Sequence, residues 1–172
     1  AQLDRFLMRI EIGYPDPATE SRILASQVES HPVESLAPVL AADEIIAMQA
    51  EARRVHVSEE MRQYIVAIVN ATREHNEVRH GASPRGSLAL MRTAQALCFL
   101  DDLAYVTPDS VQEAALATLP HRLIVDRHRL SAGTPRREII GQILGRVPVP
   151  TARGAESSVA DGTAGAAAGG HA

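Results

Sequence analysis

The sequence of 172 residues has few aromatic residues and almost no cysteine. It contains no tryptophan, two phenylalanines and three tyrosines, although 45% of its residues are hydrophobic. Its core must therefore be built from aliphatic side chains and alanine, a composition that favours close packing of helices over a β-sandwich. The single cysteine, Cys98, lies inside an apolar stretch. This position predicts a core residue of a reduced, cytoplasmic protein rather than a disulfide or a nucleophile.

Several other signals are missing. No apolar run is long enough for a membrane span, and no signal peptide is visible. The formal charge of −4 argues against a protein that binds nucleic acid without sequence preference, because such binding needs a basic face. The seven histidines do not follow the spacing of a helical metal site, so no metal ion is predicted. The sequence begins without methionine and inside a motif, from which we expect a truncated piece or a partial gene product.

Neither of the two motifs that hold ATP in the common ATPases is present. There is no G-x-x-x-x-G-K-[ST] loop to bind phosphates and no hydrophobic run ending in paired acids to hold Mg²⁺. The chain by itself is therefore not expected to hydrolyse ATP.

The residues that are present predict a helical bundle. Polar caps followed by proline or by acidic residues mark the helix starts at Asp16, Ser58, Ser83 and Thr107. The apolar spacing predicts helices over about residues 17–30, 42–54, 59–72, 84–101, 108–119 and 135–144. The fourth of these ranges, 84–101, is apolar over too wide an arc for a surface helix and should lie in the middle of the bundle. The inward faces of the first two are predicted to hold Ile23, Leu24 and Val28, then Ile45, Ile46 and Met48.

Both ends of the chain depart from the helical pattern. Residues 6–12 partly alternate and contain two isoleucines, which predicts a short strand that lacks a sheet to pair with. Residues 121–125 are interpreted as a short β segment or a connector. From residue 147 onward the chain is rich in Pro, Gly, Ala and Ser, which predicts a disordered tail. Five arginines, at positions 122, 127, 129, 136 and 137, make the preceding part locally basic, and a solvated face or a subunit contact is the ordinary interpretation.

One stretch carries the strongest functional signal. Ser83 and Pro84 begin the long apolar helix, which puts Arg85 in its first turn. A cation there is unfavourable because the helix dipole is already positive, unless an anion neutralises it. Arg85 is therefore interpreted either as a phosphate contact or as an exposed arginine whose stem packs on a neighbour. The spacing by itself favours the second interpretation.

The order of motifs resembles a known family. LDRF at residues 3–6, GYPD at 13–16, GASPRGSLALMRTAQAL at 81–97 and DLAYVTPDSV at 102–111 occur in the order found in MoxR-type AAA+ ATPases. The resemblance covers about residues 1–125 and is specific because four motifs occur in sequence. One departure is Ser110, where the family often carries a second acidic residue, and this puts the start of one helix in doubt.

The resemblance implies a fold and a domain division. The expected fold is an all-α, lid-type helical bundle with a remnant β-strand of a missing α/β core at its N-terminus. Residues 1–15 would be the end of the AAA+ core and its hinge, residues 16–146 the lid with a C-terminal extension, and residues 147–172 a disordered tail.

The resemblance also implies roles for individual residues. Arg5 matches the arginine finger, which reaches the γ-phosphate bound by the adjacent subunit; the ordinary alternative is a local ion pair with Asp4. Arg85 matches the sensor-2 arginine, which touches nucleotide in its own subunit. Tyr14 and Pro15 match the hinge, where adenine would lie, although an ordinary turn tyrosine is the alternative.

The function implied is that of a nucleotide-sensing lid, which couples ATP binding and hydrolysis to chaperone-like remodelling or maturation of partner proteins. ATP and Mg²⁺ would be held in the intact protein and not by this chain. The expected partners are an upstream AAA+ core, copies of the same protein in a hexameric ring, and von Willebrand A domain proteins. Two alternatives remain: a non-enzymatic helical interaction module, and a DNA-binding transcriptional regulator, against which the net negative charge weighs.

Overall fold

The protein is described by a computed structural model, which covers residues 3–28, 31–125 and 135–150. Six α-helices and two short strands occur in this part of the chain. In chain order they are α1 (Pro17–Ser26), α2 (Ala42–Ala52), α3 (Glu59–Glu74), β1 (Val78–His80), α4 (Pro84–Leu100), α5 (Pro108–Thr118), β2 (Ile124–Val125) and α6 (Arg136–Arg146). Three 3₁₀ turns accompany them, at Leu3–Arg5, Pro32–Ser35 and Pro120–Arg122. The prediction of a mainly helical fold is confirmed.

The core lies around α4, as its wide apolar arc predicts. This helix contacts α2, α3, α5 and the Leu3–Arg5 turn, while α6 closes the bundle against α3 and α5. Leu90, Ala94 and Cys98 of α4 are completely buried. They belong to one apolar cluster whose other fully buried members include Ile68, Val111, Ala115, Leu119, Ile139 and Ile140. Almost every member of this cluster is aliphatic, which agrees with the shortage of aromatic residues in the sequence.

Helix starts follow the polar caps closely. The Asp16 carboxylate accepts from the Thr19 N–H at 3.0 Å, and the Ser58 hydroxyl accepts from the Met61 N–H at 3.2 Å. At the start of α5, Thr107 and Ser110 each accept the other's backbone N–H through their hydroxyl oxygens. Ser110 therefore caps the helix as well as an acidic residue would, and its hydroxyl also lies 3.0 Å from the buried Cys98 Sγ.

The strand predicted over residues 6–12 does not form. After the Leu3–Arg5 turn the chain runs without a ladder partner, and its carbonyl groups bind side chains instead. A strand needs a neighbouring strand to satisfy its backbone, and the described residues offer this segment none. The sheet that does form is antiparallel and pairs β1 with β2, so residues 124 and 125 are a short strand and not a connector.

The predicted inward faces of α1 and α2 are wrong. Leu24 is 69% exposed and Ile46 is 66% exposed, and neither helix has a buried residue. Helix α2 touches the bundle near its C-terminal end, where the Gln95 amide donates to the carbonyls of Arg53 and Val55. The spacing identified the apolar residues correctly, but no element of the described chain covers them.

Helix boundaries differ from the predicted ones by a few residues. Helix α1 ends at Ser26 rather than near residue 30, and α6 continues through Gly145 to Arg146. Thr134, which precedes the predicted start of the last helix at residue 135, lies outside the described residues. So does nearly all of the predicted tail, of which residues 147–150 are described.

Gly81 is a position where the fold requires glycine. A Cβ atom there would lie 2.6 Å from the backbone nitrogen of Arg73 and 2.7 Å from its Cα, and backbone atoms cannot move aside cheaply. Gly141 in α6 is a matched contrast, because a Cβ atom there would meet nothing within 4 Å.

We expect Gly81→Ala to lower the free energy of unfolding by about 1–3 kcal/mol because the new methyl group overlaps α3. Gly141→Ala, in contrast, should raise it by up to about 1 kcal/mol, since alanine is the better helix former. Urea unfolding followed by circular dichroism measures both. Equal effects of the two substitutions would contradict the close approach of residue 81 to α3.

Candidate functional site

The loop before α4 is anchored to α3 through the backbone of Ala82. The Ala82 N–H donates to the Thr72 hydroxyl at 2.9 Å, and the Ala82 carbonyl accepts from Arg73 Nε at 2.9 Å. Thr72 is completely buried, and its hydroxyl donates in turn to the Val69 carbonyl at 2.6 Å. Both polar atoms of one loop residue are thus satisfied by adjacent residues of α3. The position of the α4 N-terminus is therefore fixed by a buried network.

Ser83 occupies the N-cap position of α4 but does not cap it. Its side chain makes no capping bond; its hydroxyl instead donates to Asp4 Oδ2 at 3.3 Å. The Gly86 N–H is satisfied by the Ser83 carbonyl at 2.7 Å, while the first turn of α4 contains no acidic residue. The positive end of this helix dipole is therefore without a compensating negative charge of its own.

Arg85 lies in this first turn and is exposed. Within the described part of the chain it makes no hydrogen bond and no ion pair, and so no carboxylate holds it. If Arg85 were partly buried and bound to an acidic neighbour, that contact would explain its position, and there would be no reason to assign it to a ligand. The cation instead extends from a helix end that is already positive, an arrangement suited to binding an anion.

Arg5 is brought to the same end of α4. It closes the Leu3–Arg5 turn, is exposed, and follows Asp4, whose carboxylate is hydrogen-bonded to Ser83. The Asp4–Ser83 bond thus joins the segment that carries Arg5 to the helix start that carries Arg85. Two arginines that are 80 positions apart in the sequence belong to neighbouring parts of the fold.

Tyr14 and Pro15 lie apart from this arrangement. They precede α1 and follow Gly13, whose φ of +76° is a left-handed conformation that favours glycine. The Tyr14 side chain is fully exposed, so the described residues build no pocket around it. The two residues lie in the irregular segment before α1, and no contact in the described chain links them to Arg85.

Sequence reasoning missed a polar cluster built around the buried residues Thr118, His121 and Arg122. Asp4 and the backbone carbonyls of Phe6 and Leu7 complete it, and we call it the Arg122 cluster. The Arg122 side chain is only 2% exposed, which corrects its assignment to a solvated basic face. Its Nη2 donates to the Phe6 carbonyl at 2.7 Å, and its Nη1 donates to the carbonyls of Leu7 and Thr118 at 3.2 and 2.5 Å. Its Nε lies 3.4 Å from Asp4 Oδ1, an ion pair without hydrogen-bond geometry.

A weak signal for this burial existed in the sequence. Arg122 lies between Leu119 and Leu123, which are both buried, at the end of the short turn that Pro120 begins after α5. A chain that turns back between two leucines leaves little room for an intervening side chain to reach solvent. Burial lowers the pKa of Arg122 from its ordinary value, and the carboxylate of Asp4 acts in the opposite direction.

His121 shares the same buried space. Its Nε2 lies 3.2 Å from the Phe6 carbonyl and 2.6 Å from Arg122 Nη1. Burial lowers the pKa of His121, the Phe6 carbonyl opposes this change, and the positive charge of Arg122 adds to it. The neutral imidazole is therefore the form that the folded protein favours.

The other basic residues lie elsewhere. Arg136 and Arg137 are exposed at the start of α6 and, with Arg9, line a cavity of about 300 Å³. Arg9 is paired with Glu11 at 3.0 Å. Arg127 and Arg129 lie outside the described residues. The described residues contain no group of three or more His, Cys, Asp or Glu side chains placed to bind a metal ion.

Comparison with known proteins identifies the family. Residues 70–143 match the family model of the AAA lid domain. The chain is also 30% identical over 159 residues to the chaperone MoxR1 of Mycobacterium tuberculosis, in an alignment that covers 87% of this chain and 42% of MoxR1. The chain fits the C-terminal lid portion of a MoxR-type AAA+ ATPase. The motifs of residues 1–111 had led to the same family.

Two further relatives of this lid extend the comparison. YeaC of Bacillus subtilis is 43% identical over 155 residues, which cover 90% of this chain and 48% of YeaC. The crystal structure of a candidate ATPase from Cytophaga hutchinsonii superposes with a TM-score of 0.77 at 28% identity, covering 87% of this chain and 48% of that one. The lid chain thus spans about half the length of the relatives that it matches. None of the helices in its described part is both long and apolar enough to cross a membrane.

We expect the stability of the lid to fall as the pH decreases below the ordinary histidine pKa of 6.5, because burial of His121 favours its neutral form. The unfolded chain takes up this proton near 6.5, whereas the folded chain takes it up only at lower pH. His121→Gln should therefore make the free energy of unfolding less dependent on pH between about pH 7.5 and about pH 5.

Urea titrations at several pH values test this expectation, with His80→Gln as the control because His80 is exposed. A pH dependence that persists unchanged in His121→Gln would show that the buried imidazole does not control stability in this range.

Proposed function

We propose that this chain is the nucleotide-sensing lid of a MoxR-type AAA+ ATPase, which couples ATP binding and hydrolysis to the remodelling or maturation of partner proteins. The observation that carries the proposal is the exposed Arg85 in the uncapped first turn of α4, for which the described residues provide no anionic partner. A cation at a positive helix end costs stability unless an anion binds there. A nucleotide phosphate is such an anion.

The domain division follows from this role. Residues 1–15 are proposed to be the end of the AAA+ core and its hinge, residues 16–146 the lid with its C-terminal extension, and residues 147–172 a tail. In the intact protein, ATP and Mg²⁺ would be held by Walker A and Walker B motifs that this chain does not contain. Arg85 would contact nucleotide in its own subunit, with Tyr14 and Pro15 at the hinge.

Arg5 is proposed to act on the neighbouring subunit. In a hexameric ring, an arginine finger from one subunit stabilises the charge that develops on the γ-phosphate bound by the next. The exposed position of Arg5 in the Leu3–Arg5 turn supports this role because the side chain is accessible to another molecule. Rotation of the lid about its hinge would then change the geometry of the ring, since contacts to phosphate differ before and after hydrolysis.

The exposed apolar residues of the N-terminal third support a second role, in protein contacts. Ile12, Leu24, Val39 and Ile46 are between 66% and 97% exposed, and all four lie in the first third of the sequence. Such a concentration of exposed apolar side chains is typical of a surface that another element covers. We propose that the upstream AAA+ core covers part of it, and that partner proteins, with von Willebrand A domain proteins among them, contact the assembled ATPase in the cytoplasm.

Two predictions separate a nucleotide-binding role of Arg85 from a structural one. On stability, we expect Arg85→Glu to raise the free energy of unfolding of the chain by about 0.3–1 kcal/mol at low salt, because the substitution places a negative charge at a positive helix end. The gain should shrink at high salt. Arg92→Glu, in the middle of the same helix, is the control and should give no such gain. A loss of stability in Arg85→Glu would contradict the uncompensated helix end.

On activity, we expect Arg5→Ala and Arg85→Ala to impair ATP hydrolysis by the intact protein, in which the core precedes this chain. Loss of an arginine finger should lower kcat on the order of 10³-fold. Loss of the lid arginine should lower kcat/KM by at least about tenfold. Steady-state ATPase assays at saturating and limiting ATP measure both effects, with Arg92→Ala as the matched control on α4.

If both variants hydrolyse ATP normally at saturating nucleotide, the assignment of these two residues is wrong. The chain would then be better explained as a helical interaction module, which needs no nucleotide. A transcriptional regulator would instead require salt-sensitive binding to DNA by the same preparation.

A further inference from the structure

The Arg122 cluster links the N-terminal segment to the lid. Arg122 belongs to the Pro120–Arg122 turn, which packs between α5 and α6, whereas Phe6 and Leu7 belong to the segment that follows Arg5. The two carbonyls of that segment are both bound by the guanidinium group, at 2.7 and 3.2 Å. One buried side chain thus holds two consecutive peptide groups more than 110 positions away in the sequence.

The geometry requires arginine. A guanidinium group carries five N–H donors in a planar fork, and here they serve the carbonyls of Phe6, Leu7 and Thr118, with Nε near Asp4. A lysine would keep the charge but has a single nitrogen, which cannot reach acceptors spread around a plane. The buried charge is also accompanied by one carboxylate, that of Asp4, which the segment itself supplies.

The contacts continue from the cluster to the start of α4. Asp4 pairs through Oδ1 with Arg122 and accepts through Oδ2 from the Ser83 hydroxyl. A second backbone bond, from the Arg9 N–H to the Ala117 carbonyl at 3.0 Å, holds the segment farther along α5. Arg5 is therefore flanked on both sides by residues that are fastened to the lid, while its own side chain is exposed.

We propose that Arg122 is a positioning residue, which holds the segment that carries Arg5 against the lid at the end of α4 that carries Arg85. This inference rests on the proposed function, in which Arg5 acts on a neighbouring subunit and Arg85 on the nucleotide of its own. With the segment fastened, Arg5 moves with α4 and α5, so residues 4–9 follow the lid and not the rest of the AAA+ core. The state of the nucleotide at the lid then controls where the finger lies.

The first experiment tests the fastening on the chain by itself, without reference to nucleotide. Hydrogen exchange of the Arg9 amide reports whether the segment stays against α5, because that N–H is protected only while it binds Ala117. In Arg122→Lys we expect this amide to exchange roughly tenfold faster or more, while amides inside α3 and α4 keep their protection. Arg146→Lys, at the exposed end of α6, is the matched control and should leave the Arg9 amide unchanged.

Asp4→Asn provides a second route to the same result, should Arg122→Lys disturb the end of α5. Because Asp4 is partly exposed, replacing its carboxylate by an amide removes the charge without leaving a cavity in the core. The Arg9 amide should again exchange faster. Unchanged exchange of the Arg9 amide in both variants would overturn the proposal, because the segment would then be held without Arg122.

The second experiment tests whether the fastening acts through Arg5. In the intact ATPase we expect Arg122→Lys to lower kcat roughly tenfold and to leave KM for ATP nearly unchanged, because ground-state binding does not involve Arg5. In an Arg5→Ala background, Arg122→Lys should cause no further loss, since the finger that it positions is gone. A merely structural role would instead make the two losses multiply, and that outcome would overturn the positioning role.

The two experiments distinguish failure of the proposed role of Arg122 from failure of the proposed function of Arg5. A normal kcat in Arg5→Ala would refute the proposed finger, and with it the positioning role of Arg122. Faster exchange of the Arg9 amide in Arg122→Lys would still establish the fastening in that case. Normal exchange of the Arg9 amide in Arg122→Lys, together with normal kinetics of that variant, would refute both the fastening and the positioning role.

Discussion

The arrangement at the start of α4 depends on one electrostatic fact. The positive end of this helix is not neutralised by a side chain of its own first turn. A helix of this length has unsatisfied N–H groups and a partial positive charge in its first turn. Ser83 would ordinarily reduce both, but its hydroxyl is bound to Asp4. The first turn of α4 contains no acidic residue of its own, and an arginine is added two positions later. The nearby Asp4 carboxylate is bound to Ser83 and Arg122, so Arg85 is left without an ion-pair partner in the described chain. An anion that bound at this helix end would supply that partner.

Rigid support makes that arrangement effective. The loop before α4 is held by bonds between α3 and both polar atoms of Ala82, of which the one to Thr72 is buried, and by the close approach of Gly81 to Arg73. A cation that binds phosphate in one nucleotide state and not in another can move a domain only if the loop that carries the cation is rigid. If Arg85 binds phosphate as proposed, Thr72 and Gly81 support that role by fixing the loop that precedes it, although neither would touch a ligand.

Buried charge plays a different part in the Arg122 cluster. An isolated guanidinium group in the interior would be costly, and Arg122 is tolerated because carbonyl groups and one carboxylate surround it. Those acceptors come mostly from the N-terminal segment, which has no strand to pair with. The segment and the arginine satisfy each other's polar groups. This mutual dependence explains why residues 6–12 lie against the lid although they do not join a sheet.

The sequence by itself determined the local features of this protein. Caps at Asp16, Ser58 and Thr107 set helix starts because each needs only a side chain and the next three residues. The apolar periods of α3 to α6 identified the core, with Cys98 inside it, and the order of four motifs identified the family. These are short-range patterns. Each of them involves residues close together in the sequence, so it does not depend on how the rest of the chain folds.

The tertiary structure decided everything that depends on a partner distant in the sequence. Ser83 has the sequence of a cap, yet its hydroxyl binds Asp4, and Arg122 has the sequence of a surface cation, yet it is buried. The apolar stripes of α1 and α2 were recognised, but exposure depends on what packs against them, and the described chain supplies nothing for most of their length. A side chain's type and spacing fix what it can bind, whereas the folded chain fixes which groups come within its reach.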